Sequence, residues 1–120
     1  MTLNDYRDLC HKASVDRGWW ANFDAGRDMD DPYVLGTKIA LIHTEISEMT
    51  EGLRRGLADD HLLHRSMEEC EAVDALVRIF DYAGKRGLDL GGAFRDKMDY
   101  NEQRADHSPE ARCATGGKEF

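Results

Sequence analysis

Two pairs of acidic residues have a spacing that suits a carboxylate site built on two helices. Glu45 and Glu48 stand three residues apart in the stretch LIHTEISEM, and Glu71 and Asp74 repeat that spacing further along the chain. Residues three apart on a helix lie about 60° apart on adjacent turns. Because each pair borders the apolar side of its segment, antiparallel packing of the two segments would bring the four carboxylates face to face.

Four carboxylates in one place need a counter-charge. At an effective dielectric constant of about 20, two unit charges 4 Å apart repel by about 4 kcal/mol. Protonation would relieve this repulsion, and so would a hard cation such as Mg²⁺, which prefers carboxylate oxygens together with water and phosphate. The alternative is that the pairs are solvated helix faces, which are common in so acidic a chain. Two consecutive pairs beside apolar sides favour the metal site.

Composition limits the other classes of function. The 120 residues are 41% hydrophobic and carry a net charge of −8, which predicts one compact domain or one protomer of an oligomer. All of the excess negative charge falls in residues 1–84, and it argues against nucleic acid or an anionic membrane as the main partner. Three cysteines without metal-type spacing indicate reduced thiols. With no signal-like segment or long apolar run, we expect a cytoplasmic protein.

The apolar periodicity predicts an all-α fold of four helices connected by short links, which is typical of a small bundle. The predicted helices cover residues 3–17, 32–55, 62–83 and 90–105, and residues 18–31 read as a loop. We take residues 1–105 as the domain. Residues 106–120 lack an apolar period, which predicts a flexible tail that is either disordered or a flap ordered by ligand.

The acidic pairs also carry a resemblance to a known family. Glu45-Ile-Ser-Glu48, 22 intervening residues and Glu71-Ala-Val-Asp74 resemble the ExxE…ExxD signature of MazG-like all-alpha NTP pyrophosphatases. The stretches LIHTEISEMTEGLRRG, EAVDALVRIFDYAGKRGLDL and FRDKMDYNEQR are similar to helices of that family, and the likeness covers residues 3–105 and the closing GGK. One departure is the tail, where eight residues separate His107 from Gly116 instead of the family's short His-Gly-Gly-Lys link.

The resemblance implies metal-dependent hydrolysis of a nucleoside triphosphate, in its deoxy form, to the monophosphate and pyrophosphate by water attack at the α-phosphorus. It implies that Mg²⁺ or Mn²⁺ is held by Glu45, Glu48, Glu71 and Asp74, with Glu45 and Glu48 as the catalytic residues. It also implies a symmetric dimer or tetramer, in which we expect the loop at residues 18–31 to lie near a neighbour's site.

Other residues are weaker candidates for substrate contacts. Lys97, Asn101 and Arg104 form one stripe on the fourth predicted helix, and they are candidate phosphate ligands together with Lys38 and Lys118. Trp20 matches a family aromatic near the base pocket, and it either stacks on a base or packs a helix end. His43 is a candidate base contact or a structural histidine. We expect Arg78 and Asp81 to belong to an ion-pair network and not to the site.

Two other classes of function fit the same helices. A di-iron carboxylate bundle needs Glu-x-x-His pairs, and none of the five histidines stands three residues after a glutamate. A non-catalytic helical module would use the acids as a partner-binding face. A nucleotide sensor would keep the site and bind without turnover.

Overall fold

The computed structural model describes residues 1–21 and 27–120, and it confirms the all-α class. Its helices are α1 (Leu3–Asp16), α2 (Pro32–Arg55), α3 (Met67–Arg86), α4 (Leu90–Glu102) and α5 (Pro109–Cys113), with a 3₁₀ turn at Ala105–His107. Part of the predicted loop, residues 22–26, lies outside the described residues. None of the helices in the described ranges combines the length and apolar character that a membrane span requires.

The start and end of α2 follow from local sequence. Asp31 accepts a hydrogen bond from the backbone N–H of Tyr33 at 2.8 Å, and Pro32 takes the first helical position, where its missing N–H costs nothing. Gly56 ends the helix in the left-handed conformation with φ of 61°, which glycine adopts without a Cβ penalty. Both ends agree with the prediction, and they place the first acidic pair, Glu45 and Glu48, inside α2.

Helix α3 begins later in the chain than residue 62, where the sequence analysis predicted its start. The helix begins at Met67, and Leu63 lies in the preceding loop with 76% of its surface exposed. Ser66 accepts from the N–H of Glu69, and Glu69 accepts from the N–H of Ser66, which is a complete capping box. The capping box determines where the helix begins. The sequence-based prediction was too early because Leu62 and Leu63, which lie in the loop, extend the apolar pattern of the helix.

The described residues form two compact units, Met1–Leu88 and Asp89–Phe120. In the first unit, α3 packs against both α1 and α2. Its buried apolar residues include two alanines, Ala75 and Ala83, whose small side chains let α3 approach its neighbours closely. A four-helix bundle is not confirmed, because the first unit contains three helices.

The second unit contains α4, the 3₁₀ turn, α5 and the end of the chain. Asp106 accepts hydrogen bonds from Arg104 Nη2 at 2.7 Å and from Lys118 Nζ at 3.1 Å. Arg112 Nη2 donates to the backbone oxygen of Glu119 at 3.0 Å. A flexible tail at residues 106–120 is therefore not confirmed, since this segment contains helical turns and charged contacts of its own.

We expect Gly84→Ala to destabilise the first unit, because α1 approaches α3 very closely at this residue. A Cβ on Gly84 would lie 2.3 Å from the Cβ of His11, so the helices would have to move apart, at a cost of about 1–3 kcal/mol. Gly36→Ala is the control, since a Cβ there meets no atom of the described residues within 4 Å and alanine stabilises a helix interior by up to about 1 kcal/mol. Urea unfolding measures both changes, and equal stability of the two variants would contradict the close approach.

Candidate functional site

Packing of α2 against α3 brings three of the four predicted acids together. One carboxylate oxygen from each of Glu45, Glu71 and Asp74 lies within 4.8 Å of the others, and we call these three residues the acid cluster. Glu45 is buried, with 7% of its surface exposed. One oxygen of Glu71, Oε2, is buried and has no hydrogen-bond partner among the described residues. The cluster therefore holds closely spaced oxygen atoms, one of which receives no hydrogen bond from the part of the chain that the structure describes.

Glu48 lies at the edge of this cluster. It is exposed, and its negative charge is among the causes that raise the pKa of Glu71. It therefore borders Glu71 from the solvent side, one turn along α2 from the buried Glu45.

Two carboxyl groups of the cluster, those of Glu71 and Asp74, have raised pKa values. Burial, together with hydrogen bonds and repulsion from Glu45 and Glu48, raises the pKa of Glu71 to about 7. Burial and the charge of Glu45 raise the pKa of Asp74, while the positive charge of Arg78 acts in the opposite direction. Raised pKa values of this kind are expected where carboxyl groups are buried beside other negative charges.

Arg78 is the cation that pairs with the cluster. Its Nε donates a hydrogen bond to Oε1 of Glu45 across the α2–α3 contact. The sequence predicted an ion-pair network of Arg78 with Asp81, but the two have separate partners. Asp81 accepts hydrogen bonds from His11 Nδ1 at 2.8 Å and Ser14 Oγ at 2.7 Å, both on α1.

A cavity of about 580 Å³ opens beside the cluster, within the first unit. Its wall includes Glu45, Asp74 and Arg78 from the α2–α3 contact. It also includes Trp19 and Trp20, which lie in the turn after α1, and Lys38 from α2. A volume of this order is typical of small-molecule sites. The cavity therefore combines carboxylates, cations and indole rings in one place.

Trp20 both packs within the fold and lines this cavity. Its Nε1 donates to Asp81 Oδ1 at 2.8 Å, which fixes the indole against α3. The ammonium of Lys38 lies 4.6 Å from the ring centroid, and that of Lys85 lies 5.5 Å away, so cation–π contacts hold both lysines near the ring. Lys38 also donates to the backbone oxygen of Trp19 at 3.0 Å.

The remaining predicted site residues lie elsewhere. His43 is exposed on α2 and is not among the described residues that form the cavity wall. The other candidates belong to the second unit, where the ammonium of Lys97 lies 5.1 Å from the centroid of the Tyr100 ring. Asn101 has a buried Oδ1 with no hydrogen-bond partner in the described part of the chain. Arg104 and Lys118 both bind Asp106 there.

The raised pKa of Glu71 predicts a pH dependence of stability in metal-free protein. Between its ordinary pKa of 4.5 and its folded pKa of about 7, the folded state binds more protons than the unfolded state. The free energy of unfolding should therefore fall as pH rises through this window. Urea unfolding in chelator at pH 5 and pH 7.5 measures the fall, and Glu71→Gln, which has no proton to lose, should reduce it. An equal fall in both proteins would show that Glu71 is not the group responsible.

Comparison of the chain with protein-family models, with curated proteins and with solved structures found no match.

Proposed function

We propose that the protein hydrolyses a nucleoside triphosphate, in its deoxy form, to the monophosphate and pyrophosphate in a metal-dependent reaction. The observation that carries this proposal is the convergence of Glu45, Glu71 and Asp74 beside a cavity lined by tryptophans. The resemblance of the two acidic pairs and their helices to MazG-like NTP pyrophosphatases supplies the reaction type.

The residues of the cluster fit a hard divalent cation. Their ligand atoms are carboxylate oxygens, which Mg²⁺ and Mn²⁺ prefer. The buried Oε2 of Glu71 accepts no hydrogen bond from residues 1–21 or 27–120. Glu45, Glu71 and Asp74 would hold the ion, with Glu48 at its edge. Mg²⁺ or Mn²⁺ would supply positive charge at the phosphate oxygens and lower the pKa of the attacking water.

In the proposed reaction, Glu48 and Glu45 of α2 have different roles. The oxygen of a water attacks the α-phosphorus, the bond from that phosphorus to the bridging oxygen of the β-phosphate breaks, and pyrophosphate leaves. Glu48, which is exposed at the edge of the cluster, accepts the proton of the water as general base. Glu45 is buried and paired with Arg78, so it would serve as a metal ligand and not as the base.

The cavity offers contacts for the rest of the nucleotide. A base stacked on an indole such as Trp20 gains about 1–3 kcal/mol. Lys38 lies beside that ring and in the cavity wall, where an ammonium suits a phosphate oxygen. Lys97, Asn101, Arg104, Lys118 and His43 stay predictions of the sequence.

The experiment that tests the proposal is a screen for pyrophosphate release. Natural and modified ribo- and deoxynucleoside triphosphates are incubated with the protein in Mg²⁺, in Mn²⁺ and in chelator. We expect metal-dependent release of pyrophosphate and monophosphate, with deoxynucleotides preferred. Binding without release from any nucleotide would favour a nucleotide sensor.

A specific observation also favours self-association. Large apolar side chains of α2 and α3 are exposed in the single chain, including Ile46 at 43%, Leu53 at 65% and Val73 at 54%. Surfaces of this kind mark protein interfaces, and a chain of this length buries a modest share of its surface alone. We propose that a second copy covers them. The same surface would serve a non-catalytic interaction module.

We therefore expect a symmetric dimer or tetramer in solution. Light scattering measures the mass, and Leu53→Glu with Val73→Glu should shift the mass toward the monomer, because a buried unpaired charge opposes association. Leu63→Glu is the control, since Leu63 is exposed in a loop. A wild-type monomer that still turns over substrate would contradict assembly.

A further inference from the structure

Arg78 lies between two chemical environments. On one side its Nε donates to the buried carboxylate of Glu45. On the other side its side chain is 42% exposed and forms part of the cavity wall together with Lys38 and Trp20. One side chain therefore contacts the acid cluster and also lines the space in which a ligand would lie.

The chemistry of guanidinium suits both environments at once. It presents five N–H donors in a planar fork and stays charged at all accessible pH values. Among the residues that the structure describes, this group makes a single hydrogen bond, from Nε to Glu45. The two terminal nitrogens are the donors that bind phosphate in a bidentate manner. A lysine at this position could pair with Glu45 or with a phosphate, but it lacks the fork that reaches both.

The charge of Arg78 affects the binding of both a metal ion and a triphosphate. In the metal-free protein, Arg78 offsets part of the repulsion among Glu45, Glu71 and Asp74. A divalent cation at the same carboxylates would add positive charge beside the guanidinium, which disfavours the pair. A bound triphosphate would bring negative charge into the cavity on the other side of Arg78 and restore the balance.

We propose, on the basis of the proposed function, that Arg78 has two partners in turn: it neutralises the acid cluster through Glu45, and it binds the phosphates of the nucleotide when a metal ion occupies the cluster. Arg78 thereby links metal binding to substrate binding. It is a substrate-contacting residue of α3, one turn beyond Asp74, and the acidic signature does not include it.

The test compares two binding reactions in the wild type, Arg78→Gln and Arg78→Lys. Calorimetry measures the affinity for Mn²⁺ alone, and then the affinity for α,β-methylene analogues of the four natural deoxynucleoside triphosphates in the presence of Mn²⁺. Arg54→Gln is the matched control, because Arg54 is an exposed arginine of α2 that pairs with Glu51. Circular dichroism and melting show whether each variant is folded.

Arg78→Gln should bind Mn²⁺ about two- to fivefold more tightly, since a competing positive charge is removed. The same variant should bind the triphosphate analogues about tenfold or more weakly, since a charged hydrogen bond to phosphate is lost. Arg78→Lys should bind Mn²⁺ within about twofold of the wild type and the analogues more weakly than the wild type. Arg54→Gln should change neither affinity.

The opposite signs of the two changes distinguish the proposal from other roles of Arg78. A loss of both affinities would make Arg78 a structural residue and would overturn the proposal. Tighter Mn²⁺ binding with unchanged triphosphate binding would overturn the phosphate contact. If the wild type binds both ligands and Arg78→Gln binds them with the same affinities, the role of Arg78 is overturned and the proposed function stands. A wild-type protein that binds neither ligand would overturn the proposed function itself.

Discussion

Asp74→Asn and Glu48→Gln should each lower the turnover of a nucleoside triphosphate by at least about 100-fold while leaving the helices intact. Oriented negative charge at the metal and at the attacking water is lost, and single electrostatic groups of this kind contribute about 10²–10³-fold to rate. Steady-state release of pyrophosphate measures the loss, and circular dichroism measures helix content. The effect arises from chemistry at the site, because neither substitution removes apolar packing.

Glu51→Gln is the matched control for Glu48→Gln. Glu51 lies one turn further along α2 and pairs with Arg54, so the variant removes a similar charge outside the acid cluster. It should retain activity within about twofold, as expected for an exposed ion pair. Asp74→Asn should also be no less stable than the wild type in chelator, because repulsion with Glu45 decreases. Wild-type activity of either test variant would remove that residue from the site.

Mg²⁺ or Mn²⁺ should raise the melting temperature of the wild-type protein by several degrees. A ligand that binds only the folded state stabilises it by about 2.7 kcal/mol at 100 times its Kd, which for a chain of this length corresponds to several degrees. The α,β-methylene triphosphates should raise the melting temperature further, and only in the presence of metal. Thermal melting followed by circular dichroism measures both shifts.

Two controls separate coordination from general screening. NaCl at the same ionic strength should give a smaller shift, since screening acts on all exposed charges and does not require the cluster. Glu71→Gln should lose most of the metal-induced shift, because it removes the carboxylate whose buried oxygen has no hydrogen-bond partner within the described ranges. Melting that is indifferent to divalent ions up to about 10 mM, above ordinary Mg²⁺ site affinities, would contradict a metal site.

Local sequence signals predicted much of the fold. The Asp31-Pro32 start and the Gly56 end of α2 need no tertiary information, because they depend on hydrogen bonds within a few residues. The early start predicted for α3 is wrong, since apolar residues of the preceding loop extended its period. The Ser66–Glu69 capping box was the better signal, and it was present in the sequence.

The acid cluster was predictable from helical period, because Glu45, Glu71 and Asp74 all border the apolar sides of helices that pack together. Arg78 carried a signal that was missed, since it stands four after Asp74 and seven after Glu71 and therefore shares their face of α3. The contacts of Asp81 with α1 could not be predicted. They depend on where α1 crosses α3, and this crossing is a property of tertiary packing.

The most direct test of hydrolysis at the α-phosphorus is the fate of the water oxygen. The reaction is run in ¹⁸O-labelled water with Mg²⁺ and the best nucleotide from the screen, and the products are separated for mass spectrometry. Attack at the α-phosphorus predicts one labelled oxygen in the nucleoside monophosphate and none in the pyrophosphate. Label in the pyrophosphate, or release of orthophosphate in place of pyrophosphate, would contradict the account.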